Sequence, residues 1–407
     1  MMEVGIIGGG ASGIMTAIIA ARNGHHVTIL EHNNRIGKKI LATGNGRCNF
    51  TNMDMNTSFY HGEDVTFAGK ILNQYNHLDT IRFFTELGLY SKNKNGGLYP
   101  YCEQASAVLD VLRMEAARLH IHLIVEVHVT DIKKEDRFCV SCQDAKHNMK
   151  KLFFDKVVIA AGSQASNVQG SDGSGYELLK KLGLTVRKPL PALVQLQSDE
   201  TYFKSVSGIR CDARLKLLVD QQVIHNERGE LQLTAYGISG IPVFQLSSEA
   251  ARALDEKKEV RVVIDFMPDL ESVDDMKLFL ENRIRQNPEK ICEELFLGLF
   301  HKNIGQLLLK LCGIRGNVKS ISLTPEQCTD LSKRIKQFDV PISATNPFDQ
   351  AQTCSGGLKT SELSETLEVK KIKGLYVTGE LIDIDGACGG YNLQWAWSSG
   401  MVAGNQI

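Results

Sequence analysis

Short apolar runs and helical stripes alternate along this chain from its first residues. Val4, Gly5, Ile6 and Ile7 form a continuous apolar run, the pattern of a buried strand. Residues 14–22 are alanine-rich with helical spacing, and residues 27–30 are a second apolar run. Residues 77–87 and 104–119 are amphipathic at the helical period, the first stopped by Gly88. Gly96 to Pro100 reads as a turn. Alternation in short runs over residues 121–154 predicts an antiparallel meander. Residues 156–162, Lys156 apart, are apolar and end on Ala160, Ala161 and Gly162, as expected of a central parallel strand whose small end lies against a ligand.

Pro189-Leu190-Pro191 interrupts both helix and sheet ladders and marks a boundary. Beyond it, residues 192–235 are strand-like and 260–266 form a further strand. Helices are predicted over 239–254, 272–286, 288–300, 303–311 and from Thr324-Pro325 to about 338, the proline being suited to a first helical position. Residues 374–380 return to the pattern of a parallel strand, and 391–403 form a closing helix after a glycine loop. The fold class is therefore α/β: a discontinuous Rossmann-like domain (1–190 and 345–407) around an insert (191–344) of β layer and helical cap that faces substrate.

The first turn carries the chemistry. Gly8, Gly9, Gly10, Ala11, Ser12 and Gly13 follow a strand and open a helix, and Glu31 ends the second strand. In this dinucleotide-binding pattern Gly8 permits the sharp turn, Gly10 the approach of a pyrophosphate, and Gly13 close helix–strand packing. Glu31 is placed to accept both hydroxyls of an adenosine ribose, and disfavours a 2′-phosphate there. The following loop concentrates glycines, amides and cations. Its candidate ligand contacts are Lys38, Lys39, Thr43, Gly44, Gly46, Arg47, Cys48 and Asn49. Val127, Ala161 and Gly162 are further expected cofactor contacts. Gly170 to Gly175, opening a helix over 176–182, reads either as a capped helix start or as a holder of a transient NAD(P)H pyrophosphate.

The fingerprint alone does not separate FAD from NAD. A second strand–glycine loop–helix does, because an NAD enzyme has no need of a distant ligand-embracing segment. Gly379, Glu380, Asp385, Gly390, Tyr391, Asn392 and Leu393 belong to it, and its helix start would favour the flavin edge where negative charge gathers on reduction. FAD is the expected cofactor.

Bulk properties narrow the partners. The chain has 407 residues, 43% hydrophobic and 23% charged, with net charge −1. No basic stripe points to nucleic acid, no apolar run approaches a membrane span, and no protein partner is implied. A chain entering a core strand at once is expected to carry no signal peptide. The ten cysteines lack paired spacing except Cys139 and Cys142, which strand alternation sends to opposite faces. Reduced thiols, no metal and a cytoplasmic location are expected.

The segments 8–13, 38–49, 170–176, Thr234 to Gly240 and 374–400 together resemble the BaiN-type, aminoacetone-oxidase-like family of FAD-dependent oxidoreductases. The similarity runs from end to end. Its most specific parts are Thr-Gly-Asn-Gly-Arg-Cys-Asn and Gly-Gly-Tyr-Asn-Leu-Gln-Trp-Ala. The resemblance implies a discontinuous FAD domain around a β-barrel and helical insert. It also implies NAD(P)H-driven reduction of a carbon–carbon double bond conjugated to a ketone, as in dehydro-bile acids. Other members are amine oxidases that reduce oxygen. This chain has Ala235 where members carry His, Ile241 where they carry Pro, and Cys102 where they carry Ser.

An enone reductase needs a donor for the developing enolate oxygen and a proton for the α-carbon. Tyr236, Tyr391 and Asn392 are the candidates. The alternatives are an oxidase of a small, aminoacetone-like amine, for which no amine cage is visible, and a non-enzymatic flavin redox sensor.

Overall fold

The computed structural model describes all 407 residues, the side chain of Val168 excepted. The chain divides into two compact units, Met1–Leu190 with Phe348–Ile407, and Pro191–Pro347.

The first unit is built on a five-stranded sheet in the order Leu375–Val377, Lys156–Ile159, Glu3–Ile7, His26–Leu30, His122–Ile124. Every pairing in it is parallel. The three middle strands are apolar on both faces because helix Ala11–Arg22 packs on one and the strands Val127–Lys134 and Met149–Phe154 on the other, the reason Val4, Ile6, Ile29, Val157, Val158 and Ile159 are all fully buried. Helix Ala11–Arg22 covers one face and packs along Tyr391–Gln406, the last helix. Gly400 and Gly404 make that packing possible: a Cβ on Gly400 would lie 2.8 Å from the Ser12 carbonyl oxygen, and one on Gly404 2.7 Å from Ile19 Cβ. The two ends of the chain are thus one packed layer.

Several expectations were displaced by tertiary pairing. The meander over Val127–Lys134, Phe138–Asp144 and Met149–Phe154 is present, with Cys142 buried and Cys139 on the other face. Its expected first segment, however, joins the parallel sheet as the edge strand His122–Ile124. Gly97–Pro100 is a strand paired with Ser91–Lys94, and the turn is Asn95-Gly96, both at positive φ (51° and 91°). An Asn-Gly pair is the favoured two-residue hairpin connection, a signal local enough to have been read. A helix at Val65–Gln74, capped by Asp64, was not foreseen.

The second unit is a seven-stranded antiparallel sheet, in the order Phe338–Pro341, Val260–Asp265, Arg210–Val219, Gln222–Thr234, Gly237–Ser239, Leu196–Gln197, Ala344–Thr345. The ladder has two ends and does not close on itself, so the hydrogen bonding is that of an open sheet rather than a barrel. Helices Ile241–Asp255, Val273–Gln286, Lys302–Leu311 and Pro325–Lys336 bury apolar faces at helical spacing, such as Met276, Leu280 and Ile284. The expected helix over 288–300 is only a 3-10 turn, Cys292–Phe296. Its backbone is drawn elsewhere: Cys292 N–H donates to Val318 O (2.9 Å), Glu293 N–H to Gly316 O (3.0 Å), and Lys290 O accepts from Ser320 N–H (2.8 Å).

Candidate functional site

Three glycines shape the turn after the first strand, each differently. Gly8 has φ +104°, and a Cβ there would overlap the Ala160 carbonyl. A Cβ on Gly13 would overlap the Gly8 carbonyl oxygen and sit 3.2 Å from Ala160 Cβ, so Gly13 sets the helix against the sheet. A Cβ on Gly10 meets no protein atom within 4 Å. Gly10 therefore guards open space. The helix it starts has no side-chain cap and no acidic residue in its first turn, leaving its positive end uncompensated.

Glu31 is buried at the end of the second strand. Its Oε2 accepts from Gly9 N–H (2.8 Å), and its Oε1 from Asn33 N–H and Asn33 Nδ2 (2.8 Å each). Three donors fix the carboxylate's orientation. Asn33 Oδ1 in turn accepts from Lys38 Nζ (2.9 Å), which occupies that lysine. The Gly170–Gly175 run lies here too, since a Cβ on Gly170 would overlap the Asn33 amide. Asp172 Oδ1 accepts from Ser174 N–H (2.9 Å) and its hydroxyl (2.6 Å), an Asx-type turn leading into helix Ser174–Lys181, whose N-cap Gly173 has no side-chain cap. Buried Val127 donates its N–H to Glu31 O (3.1 Å), and Ala161 and Gly162 follow the central strand.

The loop after Glu31 is more ordered than a glycine-rich loop suggests. Lys38–Ala42 is a short helix, followed by Gly44, Asn45, Gly46 and Cys48 at φ 56°, 59°, 81° and 57°. The Thr43 hydroxyl donates to Ile40 O (2.6 Å). Lys39 Nζ is 2.7 Å from Glu380 Oε2, which also accepts from the Ser163 hydroxyl (3.0 Å). The lysine pair is thus spent within the protein, while Arg47 is exposed. Cys48 is fully buried, and desolvation pushes its thiol up to about 12. Its side chain packs the core.

The C-terminal segment comes to the same place. Gly379 (φ +72°) presses on the Ser12 side chain, donates its N–H to Ser399 Oγ (3.0 Å) and accepts from Trp395 Nε1 (3.0 Å). Gly390 (φ +96°) opens the last helix, and a Cβ on it would lie 2.8 Å from Thr51 O and 3.0 Å from Asn49 Oδ1. Trp397 Nε1 donates to Phe50 O (2.9 Å), and the Thr51 hydroxyl to Gln394 Oε1 (2.6 Å). Sequence reasoning overlooked Ser163, Ser399 and Thr51, whose partners lie on other segments.

This helix start also lacks a side-chain cap and acidic residues, although the helices His77–Glu86, Val273–Gln286 and Pro325–Lys336 carry full capping boxes. Leu393 lies in its first turn. Asn49 Oδ1, beside Gly390, is buried without a hydrogen-bond partner among the described residues. An uncapped helix start over open space, a second uncapped start and an orphaned amide oxygen suit a ligand with phosphates at one end and a hydrogen-bonding ring at the other.

The three catalytic candidates separate. Tyr391 is buried, stacks on Phe59 (centroids 4.6 Å) and meets Tyr60 edge-on (5.9 Å). Burial pushes its phenol up to about 12. Asn392 clamps its own loop: Oδ1 accepts from Gly386 N–H (2.8 Å) and Nδ2 donates to Gly386 O (2.6 Å). The Asn392 amide is thus engaged within its own loop, and the Tyr391 ring in an aromatic cluster. Buried Asp385 lies in the strand Ile384–Gly386, paired with Tyr60–Gly62. Tyr236 belongs to the second unit, is 40% exposed, and accepts Asn346 Nδ2 at its hydroxyl (3.2 Å).

Comparison with known proteins places these features in context. The family described as HI0933-like protein Rossmann domain matches residues 2–406. A 3-dehydro-bile acid delta(4,6)-reductase of Clostridium scindens is 45% identical over 407 aligned residues, covering 99% of this chain and 98% of that protein. A ribosomal RNA dihydrouridine synthase of Haemophilus influenzae is 26% identical, covering 97% of this chain and 95% of its own. Among solved structures, 3-ketosteroid delta1-dehydrogenase from Sterolibacterium denitrificans aligns with TM-score 0.51 at 11% identity, covering 100% of this chain and 99% of the other. That likeness is one of fold.

Proposed function

Because the chain belongs to the HI0933-like Rossmann family, we propose that it is an FAD-dependent reductase of carbon–carbon double bonds conjugated to a ketone, acting on steroid-like enones such as dehydro-bile acids. The observation that carries this reading is the 45% identity with the bile acid reductase across 99% of the chain. The fit of the first unit to a dinucleotide supports it. The dihydrouridine synthase is named for saturating a double bond conjugated to a carbonyl, so both relatives point to one class of chemistry. Reduction is favoured over the amine-oxidase and redox-sensor alternatives on the same ground.

Glu31 would hold the adenosine ribose, the start of helix Ala11–Arg22 the phosphates, and the start of helix Tyr391–Gln406 with Asn49 the flavin ring. Held there and reduced by a nicotinamide, the flavin would supply hydride chemistry for saturating the enone's carbon–carbon double bond. The protein's share is to donate a hydrogen bond to the carbonyl oxygen as negative charge collects there, and Tyr236, a partly exposed residue, is the candidate. The insert is the proposed specificity domain. NADH or NADPH is the proposed electron source. Among the described residues no helix is long and apolar enough to cross a membrane, and a cytoplasmic enzyme is part of the proposal.

Anaerobic mixing of the purified yellow protein with NADH or NADPH tests the proposal. Bleaching near 450 nm (about the usual flavin band) followed by recovery of colour on adding a 3-keto-4-ene bile acid is expected. A protein that is colourless and refuses FAD, or one bleached by amines and not by nicotinamides, would overturn it.

A further inference from the structure

Helix Ala105–Arg118 ends in a tight reversal that leads the chain to the edge of the parallel sheet. His120 N–H donates to Ala117 O and Ile121 N–H to Ala116 O (3.0 Å each), the paired bonds of a Schellman stop. His120 takes φ +55° at the position usually given to glycine. The strand that follows, His122–Ile124, is paired on one side only, with His26–Leu30. A groove of about 670 Å³ lies between the end of the helix, this edge strand and residues 34–36. All of it belongs to the first unit.

Two kinds of residue line the groove. Ala117, Ile121, Leu123 and Val125 give it an apolar wall, and Leu123 is still 41% exposed. Arg35, Arg113, His120 and His122 are its basic residues, and no carboxylate lines it among the described residues. Arg113 is engaged: Nη2 donates to Ile36 O (2.8 Å), tying helix to loop, and Nη1 lies 3.8 Å from Asp110 Oδ1. Arg35, His120 and His122 are exposed, and their side chains make no hydrogen bond or ion pair with any described residue. The two arginines are charged at any physiological pH, and even a neutral imidazole offers an N–H donor. A cleft with such walls and no acid to offset them concentrates anions. Its volume is that of a small-molecule site, about 300–1,000 Å³. A bare inorganic anion would leave the apolar wall in water, whereas an anion with an apolar body covers it.

We propose that this groove is a second binding site, for an amphipathic organic anion: a compact apolar body carrying one carboxylate or sulfonate. Arg35 takes the acid group, His120 and His122 add donors, and Ile121 and Leu123 meet the body. The dinucleotide cradle is a different place, since Gly8, Gly10, Glu31 and Asn49 line none of the groove. Binding here does not depend on the enone reaction.

The test is titration calorimetry of the FAD-saturated protein with 8-anilinonaphthalene-1-sulfonate. One molecule should bind per chain, with Kd of about 10–100 μM. Arg35→Glu and His122→Glu should each weaken binding by about tenfold, and the double variant by more. Both side chains lack partners, so these variants should melt within about 2 °C of the wild type. Lys70→Glu makes the same change in net charge at an exposed lysine outside the groove, and should leave binding within about twofold. Sulfate, the charge without the body, should bind on the order of a hundredfold more weakly than the probe. No binding by the wild type up to about 1 mM, unchanged affinity in Arg35→Glu and His122→Glu, or sulfate as tight as the probe overturns the proposal. Release of FAD as the probe binds, seen as free flavin on gel filtration, overturns it too, because the probe would then occupy the dinucleotide site. A protein that takes up no FAD defeats the proposed function instead, and the same three charge variants, titrated without FAD, still decide the groove.

Discussion

Gly10→Ala separates the fold from its ligand. The added methyl meets no protein atom within 4 Å, and the Gly10 backbone (φ −82°, ψ −168°) is one that alanine adopts without strain. The only cost to the empty protein is the poorer performance of alanine than glycine at an N-cap, about 0.5–1 kcal/mol. For a unit of this size that is a fall in Tm of about 1–4 °C. A pyrophosphate packed over the start of helix Ala11–Arg22 would fill the same open space, and the methyl would force it outward. Losing contact and part of the N–H hydrogen bonding is expected to cost about 2–3 kcal/mol, or roughly 30- to 150-fold in FAD affinity. Gly13→Ala is the control of opposite character. Its methyl overlaps the Gly8 carbonyl oxygen, and helix and strand would have to part on the order of 1 Å, so the empty protein itself should be destabilised by about 3 kcal/mol or more. The assays are thermal melts of the flavin-free proteins and fluorescence titration with FAD. Wild-type FAD affinity in Gly10→Ala, or a large loss of stability in its empty form, would refute the reasoning.

Three further outcomes follow from named contacts. Glu31→Gln sets an amide N–H₂ against one or more of the three donors that its carboxylate now accepts, so stability should fall by about 1–3 kcal/mol and FAD retention on gel filtration with it; an unchanged protein would remove Glu31 from the site. His225 is hydrogen-bonded to Glu227 (3.0 Å) and Glu249 (2.6 Å), which together hold its imidazolium up to about 10. A raised folded-state value means the stabilisation is complete below about pH 6.5 and lost as pH rises through about 10. The shift sets a ceiling of about 5 kcal/mol, and solvent screening at the two half-exposed glutamates reduces the expectation to about 2 kcal/mol. Urea midpoints of wild type and His225→Gln should therefore converge between about pH 7 and pH 10; a constant gap contradicts the assignment. Cys48, buried with its thiol raised to about 12, should react with a thiol reagent only on unfolding, whereas exposed Cys102 is open to the reagent in the native protein. Native-state labelling at Cys48, found by peptide mapping, would show the loop opening.

The opening strand–turn–helix–strand was legible in the sequence because its constraints are local. Continuous apolar runs identify strands covered on both faces, and the glycine spacing answers to contacts within a few residues of the turn, such as that between Gly13 and Gly8. Helices with a capping box, such as those after Ser272 and Thr324, announced themselves within four residues. The Asn95-Gly96 hairpin was equally local and was missed by attending to the glycines that follow it.

What no stretch of sequence could decide is which polar groups find each other across the fold. Lys39 and Glu380 lie 341 positions apart, and Gln197 and Asn346 lie 149 apart, yet each pair is within hydrogen-bonding distance. The first pairing turns a lysine read as a ligand contact into one half of an internal ion pair. Residues 288–300 lost their helix for the same reason, through backbone bonds to 316–320. Periodicity records which face of an element is buried, because burial repeats along the chain. A hydrogen bond between distant residues leaves no period, and only the folded backbone sets its length and direction.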